Sequence, residues 1–296
     1  MGDRRNAVMH VTILGAGKVG RALAAALRAR GARVVLRAAR AGLPRTRIDA
    51  DVVLLAVRDK DLAPLAERLA ASGKLAPRCV CVHAAGARDA EAIAALRPAC
   101  AGVAQMHPMI SFASLRFFPS LERGNVHVSG DRTAVRRARA LAKLLGMTPR
   151  TFRGLDTVGY HAAAGLVANG AAALAALGAR ILEDAGVPRR DAPKLLGPLL
   201  RSVAENVEAL GFPHALTGPV RRGDADAVAR HGALLAARVP EAVAVYRASV
   251  AAQLPLAKAL AEAPPEGLRA IARWLEEGSR PPARTQRSVR SVRREG

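Results

Sequence analysis

Three histidines stand where catalytic side chains are expected. His83 and His107 each follow a short apolar run typical of a β-strand, and His161 opens an apolar, alanine-rich stretch. An imidazole with an ordinary pKa of about 6.5 exchanges a proton near neutral pH, so it suits general acid catalysis. Each histidine alone could equally be a structural hydrogen-bonding group. We do not expect a metal site, because the three lack HxxxH or HxxH spacing and have no accompanying carboxylate.

A lone amide follows in the same stretch as the third histidine. Asn169 lies about two helical turns beyond His161, among alanines and glycines that would let a helix approach a ligand closely. An amide in apolar surroundings needs hydrogen-bond partners. These are either substrate atoms or the backbone of a neighbouring helix.

Residues 215–224, Ala-Leu-Thr-Gly-Pro-Val-Arg-Arg-Gly-Asp, form a polar segment between two predicted helices. Thr217 could donate a hydroxyl hydrogen bond, and Arg222, with Arg221, could bind a carboxylate. Asp224 is a predicted N-cap of the helix that follows. The segment could also serve only as a capped loop between the helices.

A glycine-rich turn near the start of the chain is the first of the elements that would position the candidate catalytic residues. Residues 11–20 read Val-Thr-Ile-Leu-Gly-Ala-Gly-Lys-Val-Gly, which predicts a strand, a tight turn and the start of a helix. The first two glycines permit the turn and the approach of a pyrophosphate to the backbone, and the third lets helix and strand pack closely. The helix N-terminus adds unpaired N–H groups. We therefore predict dinucleotide binding by Gly15, Ala16, Gly17, Lys18, Val19 and Gly20.

Arginines, rather than a carboxylate, follow the second predicted strand, residues 33–36. A cofactor with a free ribose 2′-OH usually meets Asp or Glu there, whereas this chain has Arg37 and Arg40. Guanidiniums form forked hydrogen bonds to phosphate oxygens, so the pair favours NADP(H) over NAD. Two ordinary surface arginines are the alternative. Further predicted cofactor contacts at the ends of the next two strands are Ala56, Val57 and His83.

Strands alternating with helices over about 150 residues predict an α/β domain with a doubly wound parallel sheet. Beyond about residue 156 the pattern is helical only, with glycine breaks. We predict a Rossmann dinucleotide-binding domain over residues 8–154, an all-α domain over 155–278, and a basic, disordered tail over 279–296. We also expect Asp61 to cap a helix over 62–71, and the apolar stretch 162–179 to be a buried packing helix rather than a membrane span.

Composition narrows the class of protein further. A chain of 296 residues with 51% hydrophobic residues can bury a substantial core. Its three cysteines predict neither a disulfide nor a zinc framework. The net charge of +22 comes from arginines spread over the chain, so only the tail is a candidate for RNA or acidic partners, and nucleic-acid binding is not expected. Residues 1–10 contain no signal-peptide pattern, so we expect a cytoplasmic protein with no membrane association.

Several of these motifs occur together in one known family. They are the loop GAGKVG at residues 15–20, His83-Ala84-Ala85-Gly86, His107-Pro108, Tyr160-His161-Ala162-Ala163 with Asn169, and ALTGPVRRGD at 215–224 with His231 beyond. In this combination the chain resembles, over about residues 8–262, bacterial proteins with a Rossmann-like domain followed by a DUF2520 domain. That family is similar to ketopantoate reductases, pyrroline-5-carboxylate reductases and β-hydroxyacid dehydrogenases. The resemblance implies NADP-dependent reduction and homodimers formed through the helical domain.

The hypothesis that follows is hydride transfer from NADPH to a small carboxylate-bearing carbonyl substrate, with a ketopantoate-like 2-keto acid favoured. The Lys-x-x-x-Asn pair of the related enzymes is missing, because no lysine occurs between Lys143 and Lys194. His161 would therefore protonate or polarise the oxygen, and Arg222 would hold the carboxylate. Asn169, Thr217 and His83 complete the candidate catalytic set. The alternatives are an imine substrate similar to pyrroline-5-carboxylate, and a regulatory protein that binds NADP(H) without turnover.

Overall fold

The structure is a computed structural model that describes residues 8–277. The predicted basic tail, 279–296, therefore lies outside the described residues. Contacts divide the chain into two compact units, of which the first ends at Asn169 and the second begins at Gly170. The division falls inside one long helix, so each unit is described by itself.

The first unit is built on a seven-stranded sheet. The strands are β1 His10–Leu14, β2 Arg33–Arg37, β3 Val52–Leu55, β4 Val80–His83, β5 Val103–Pro108, β6 Asn125–Gly130 and β7 Thr148–Arg150. Their order in the sheet is β2-β1-β3-β4-β5-β6-β7, and the five strands β1 to β5 run parallel. Every residue of β3 and β4 is buried, as expected of strands covered on both faces. The predicted doubly wound α/β sheet is confirmed for these strands.

The sheet departs from an all-parallel arrangement at its far edge. β6 pairs antiparallel with β5, and β7 in turn pairs parallel with β6. A parallel neighbour needs a crossover connection, usually through a helix, whereas an antiparallel neighbour does not. No helix forms over residues 109–124, which join β5 to β6, so the chain returns in the opposite direction.

Three α-helices and two 3-10 segments join these strands within the described part of the first unit: α1 Lys18–Ala29, the 3-10 turn Ala39–Ala41, α2 Asp59–Ala71, the 3-10 helix Ala90–Ala99, and α3 Arg132–Leu144. The predicted N-cap at Asp61 is wrong, because α2 begins two residues earlier, after Arg58. Asp61 instead lies in the first turn, where its negative charge also suits the helix dipole. Cys79 and Cys81 are free, buried core residues, as expected.

Helices follow the sheet, as predicted, and the first of them spans the boundary between the units. They are α4 Thr157–Asp184, α5 Ala192–Leu210, the short α6 Pro219–Arg222, α7 Ala225–Arg238, α8 Val243–Leu260 and α9 Pro265–Glu277, with a 3-10 turn Pro240–Ala242 before α8. The core of the second unit is formed by Val220, Val228, Val250 and Ile271. Asp224 caps α7 by accepting a hydrogen bond from the Ala227 N–H at 2.9 Å, so its predicted role is confirmed.

The expectation of a buried packing helix over residues 162–179 is wrong. None of the residues of α4 is buried. Within residues 8–277, α4 is also the one helix long and apolar enough to cross a membrane, with a mean hydropathy of 1.6. Length and composition alone are weak evidence for such a span. The apolar pattern correctly predicted a helix, but it could not show what covers it.

Candidate functional site

A cavity of about 430 Å³ opens where the strand order reverses, at the carboxyl ends of β1 and β3. Ligands of open α/β sheets bind at this switch point. The cavity lining includes six of the predicted cofactor contacts: Gly15, Ala16, Gly17, Arg40, Ala56 and Val57. Lys18, Val19 and Gly20 form the first turn of α1 directly behind the loop. The glycine motif is therefore placed as the sequence predicts.

The three glycines have different surroundings, and these match their predicted roles. Gly15 has a φ of +125°, and a Cβ there would lie 2.2 Å from the Ala56 carbonyl oxygen. A Cβ on Gly20 would lie 1.9 Å from the Gly15 carbonyl oxygen, so α1 packs against the loop. Gly17 faces open space, with no atom within 4 Å of a Cβ position. Its backbone, at the N-cap of α1, is free to receive a phosphate group.

Arg40 and Arg37 have separate roles. Arg40 is exposed, lines the cavity and forms no hydrogen bond or ion pair within residues 8–277. The Arg37 guanidinium points back into its own loop and donates to the carbonyl oxygens of Gly42 at 2.7 Å and Ala41 at 2.6 Å. We therefore assign Arg37 to holding the 3-10 turn Ala39–Ala41, which carries Arg40, rather than to direct phosphate binding.

Sequence reasoning missed two arginines of the cavity. Arg21, on α1, donates from Nε to the Ala16 carbonyl oxygen at 2.9 Å and so braces the glycine loop. Arg58 follows β3 and pairs with Asp61 at 2.9 Å. With Arg68 it also lines an adjoining cavity of about 330 Å³ that Arg40 shares. The guanidiniums of Arg40, Arg58 and Arg68 outnumber the single carboxylate of Asp61 in this adjoining cavity. Its lining therefore has a net positive charge, which suits a phosphate.

His83 occupies a structural position. It is fully buried at the end of β4, its Nε2 lies 2.7 Å from the Asp89 carbonyl oxygen, and its Nδ1 accepts from the Ala85 N–H at 3.2 Å. These bonds require the neutral ring with its proton on Nε2. Burial lowers the pKa of His83 to about 4. Both nitrogens are occupied by the backbone, so the predicted catalytic and cofactor roles of His83 are replaced by a positioning role for the loop after β4.

His107 and His161 meet at Gly86. The two rings are edge to face with centroids 5.6 Å apart. A Cβ on Gly86 would lie 2.3 Å from His161 Nδ1 and 2.9 Å from His107 Nε2, so only glycine leaves room for both rings. His107 Nδ1 lies 3.2 Å from the Ala84 carbonyl oxygen. Its Nε2 is buried and has no hydrogen-bond partner among the described residues.

A second cavity, of about 360 Å³, lies beside this pair. It is lined by residues 107–112 from the end of β5 and by the face of α4 that carries His161 and Asn169. Its polar side chains are His107, Ser111, His161 and Asn169, and its other lining residues are apolar. Asn169 forms no hydrogen bond within residues 8–277, so its amide is free for a ligand. The structure thus brings Asn169 and His161 together at one cavity, as predicted.

Three further residues lie beside this site, and little in the sequence pointed to them. Gln105 is buried and donates from Nε2 to the Ala85 carbonyl oxygen at 2.9 Å, which holds the loop after β4. His127 lies opposite His107 in the β5–β6 pair, and Tyr160 contacts both rings at 5.8 Å. His127 can be recognised as a neighbour of His107 only when the antiparallel register of β5 and β6 is known. Burial lowers the pKa of both His107 and His127, so each ring favours its neutral form.

The polar segment 215–224 lies in the second unit. Arg221 is already engaged: it binds Glu262 through two bonds of 2.9 Å and donates to the Leu216 carbonyl oxygen at 2.7 Å. It therefore fixes the segment and is not free for a carboxylate. Arg222 and Thr217 are exposed and have no hydrogen-bond partner within the described part of the chain. Their substrate-binding roles stay predictions.

A metal site among the described residues would need several ligating side chains close together. No group of three or more His, Cys, Asp or Glu side chains within residues 8–277 has the proximity that a metal ion needs. The cluster of His107, His127 and His161 contains no carboxylate. Its chemistry is that of neutral imidazoles able to accept, donate or transfer protons.

Comparisons with known proteins bear on the family and the fold. Residues 125–253 match the family DUF2520, a domain of unknown function. No curated protein matches the sequence.

Solved structures share the fold over most of the chain. A Bacteroides fragilis protein described as a candidate NADP oxidoreductase has a TM-score of 0.65 and 19% identity, and the match covers 83% of this chain and 98% of that one. Plasmodium falciparum pyrroline carboxylate reductase, solved with NADP bound, has a TM-score of 0.55 and 11% identity, with coverages of 83% and 98%. Streptomyces aurantiacus imine reductase has a TM-score of 0.52 and 18% identity, with coverages of 90% and 99%. Residues 125–253 therefore match the DUF2520 domain, and the chain as a whole shares the fold of these solved structures.

Proposed function

We propose that this protein is an NADPH-dependent reductase of a small substrate with a C=O or C=N bond. The observation that carries the proposal is that both cavities lie at the carboxyl edge of one sheet in the first unit. The glycine loop and Arg40 line one cavity, and His107, His161 and Asn169 line the other. The segment after β5 links them, since residues 109–112 line the second cavity and Leu115 lines the first. NADP-linked reductases with the same fold support the proposal.

The residues present fit NADP(H). Gly17 gives open access to the N-terminus of α1, and Arg40, Arg58 and Arg68 surround the adjoining cavity. Bound NADPH supplies a hydride, which carries two electrons to the substrate carbon. The reduced oxygen or nitrogen then requires one proton. His161 is the group assigned to donate it, because its exposed ring lines the substrate cavity.

The substrate class has two candidates. A ketopantoate-like 2-keto acid is the first, with its carboxylate assigned to Arg222. An imine similar to pyrroline-5-carboxylate is the second, and the shared fold of pyrroline carboxylate reductase and imine reductase favours it. The cavity beside His161 has no charged side chain in its lining, which suits the uncharged part of either substrate.

Rates of NADPH oxidation would decide between them. The panel consists of ketopantoate, pyrroline-5-carboxylate and branched 2-keto acids, with NADH in parallel. Turnover of a keto acid or of the imine assigns the class, and an Arg222→Ala variant then tests the carboxylate contact through an increased KM. Tight NADPH binding without turnover of any member would favour the non-catalytic regulatory protein instead.

We also propose a homodimer that covers the helical face of α4 and α5. Exposed large apolar residues recur along both helices: Leu166, Val167 and Leu174 on α4, and Leu195, Leu199, Val203 and Leu210 on α5. Large apolar side chains that cluster on the surface of a protein in water often mark an interface. A second copy of the chain would cover these side chains and remove them from water, which would account for the apolar, unburied α4.

Sedimentation of the full chain tests the dimer. Leu199→Glu should place a charge in the interface and shift the protein to monomer, whereas Leu234→Glu, at an exposed apolar position on α7, should leave the dimer intact. A wild-type monomer that associates with lipid vesicles would show that a membrane, rather than a second copy, covers α4.

A further inference from the structure

The buried nitrogen of His107 is the feature of the site that the reductase proposal leaves without a role. A buried polar atom that lacks a hydrogen bond is energetically unfavourable, so proteins rarely leave one unpaired. His107 Nε2 is such an atom, and its neighbour Nδ1 is held by the Ala84 carbonyl oxygen at 3.2 Å. A carbonyl oxygen only accepts, so Nδ1 carries the proton and Nε2 presents a bare lone pair.

The group that lies opposite this lone pair is the ring of His161. Both His161 Nδ1 and His107 Nε2 lie within 3 Å of the same point beside Gly86, so the two nitrogens are within about 5 Å of each other. His161 is exposed and can rotate, whereas His107 is fixed by its strand and by Ala84. A hydrogen bond between catalytic groups is often long before ligands bind and shortens in the complex.

We propose that His107 is a positioning residue that accepts a hydrogen bond from His161 Nδ1–H and thereby reserves His161 Nε2 for the substrate. The chain of bonds runs from His161 Nδ1–H to His107 Nε2, and from His107 Nδ1–H to the Ala84 carbonyl oxygen. His161 transfers its Nε2 proton to the substrate oxygen or nitrogen, keeps its Nδ1 proton, and becomes the neutral ring. Water then returns a proton to Nε2. This inference rests on the proposed reductase function for the identity of the acid.

The surroundings of His107 suit an acceptor rather than a second acid. Burial is the main cause that lowers its pKa, and the nearby rings of His161 and His127 act in the same direction, while the hydrogen bond to the Ala84 carbonyl oxygen and the charge of Asp59 oppose them. His107 is therefore neutral near pH 7, when its Nε2 can accept. Tyr160 lies edge to face with the His107 ring, with the two ring centroids 5.8 Å apart. Gly86 is essential to the pairing because any side chain there would separate the two histidines.

Histidine tautomers measured by NMR test the pair directly. In the full-length protein labelled with ¹⁵N-histidine, long-range ¹H–¹⁵N correlations show which nitrogen carries the proton, and His161→Gln identifies the His161 signals. We expect the neutral His161 ring to carry its proton on Nδ1. In His107→Ala the proton should move to Nε2. His127→Ala is the matched control, since His127 also has a buried unpartnered nitrogen but contacts Tyr160 and Phe152, and it should leave His161 unchanged.

Kinetics supply a second readout with whichever substrate is reduced. His107→Ala should lower kcat by roughly 10–100-fold, which is less than the 10²–10⁴-fold expected for loss of the general acid itself, because His161 is still present; KM should change by less than about threefold. His107→Gln, whose amide oxygen can accept in place of Nε2, should restore part of kcat. An Nε2–H tautomer of His161 in the wild type, or equal effects of His107→Ala and His127→Ala, would overturn the pairing. A tautomer that depends on His107 in a protein that reduces nothing would retain the pairing and reject the reductase.

Discussion

Substitutions of Gly17 and Gly20 separate the architecture of the glycine loop from its binding function. The two glycines are three residues apart, yet a methyl group meets different surroundings at each. At Gly20 it would lie 1.9 Å from the Gly15 carbonyl oxygen, far inside an ordinary contact distance of 3.4 Å. At Gly17 it would meet nothing within 4 Å.

Gly20→Ala should therefore destabilise the fold. The clash is with backbone, and Gly15 cannot retreat because it is itself packed against the Ala56 carbonyl oxygen. Overpacking of this kind costs about 1–3 kcal/mol, against about 0.5–1 kcal/mol gained by replacing glycine within a helix. We expect a net loss of about 1–2 kcal/mol in the free energy of unfolding, measured by urea titration.

Gly17→Ala should leave the free energy of unfolding nearly unchanged but weaken NADPH binding. Alanine is a poorer N-cap than glycine by about 0.5–1 kcal/mol, and a similar gain comes from the less flexible unfolded chain. The free energy of unfolding should stay within about 1 kcal/mol of the wild type. NADPH affinity, measured by titration calorimetry, should fall at least about tenfold, which is 1.4 kcal/mol. Wild-type NADPH affinity in Gly17→Ala would refute the assignment of this loop as the cofactor site.

Three further predictions concern the site. Arg40→Ala should weaken NADPH binding about tenfold, as expected for a charge-assisted hydrogen bond, and leave NADH binding unchanged, whereas Arg45→Ala, an exposed neighbour outside the cavity lining, should change neither. Gly86→Ala should displace His161 and reduce kcat about tenfold while NADPH affinity is retained; unchanged kcat would contradict the close contact. His83, whose pKa is lowered to about 4 in the folded protein, binds a proton more readily when unfolded, so its contribution to stability is complete above pH 6.5 and is lost as the pH falls towards 4. Between pH 8 and 5 the wild type should lose about 2 kcal/mol more than His83→Asn in urea titrations, and equal losses would show that the ring is not held neutral.

Local features were the most predictable from the sequence. The glycine loop and the Asp224 cap depend on a few adjacent residues, and the structure places them as expected. The histidines after β4 and β5 could be assigned to one edge of the sheet because parallel strands end together. The separate roles of the two histidines could not be predicted. Only the hydrogen bonds of the His83 ring to the backbone of Asp89 and Ala85 distinguish it from His107, and these are visible only in the structure.

Features that depend on distant partners were not predictable. His127 lies directly opposite His107 because β6 pairs antiparallel with β5. The length of the connection between these two strands did not by itself predict that direction. The orientation of a side chain was not predictable even where its partners are near: the Arg37 guanidinium donates to the carbonyl oxygens of Ala41 and Gly42, four and five residues further along the chain. The exposure of α4 shows the same limit, because an apolar sequence predicts burial but does not identify the covering surface.

The kcat of His161→Gln tests the central claim most directly. The measurement uses the substrate that turns over fastest, with NADPH labelled with deuterium at the transferred position and present at saturation. The proposed mechanism predicts deuterium on the reduced carbon of the product and a kcat that falls roughly 10²–10⁴-fold in His161→Gln, with NADPH affinity and the free energy of unfolding unchanged. A loss of less than about threefold in a folded variant that binds NADPH would remove His161 as the proton donor.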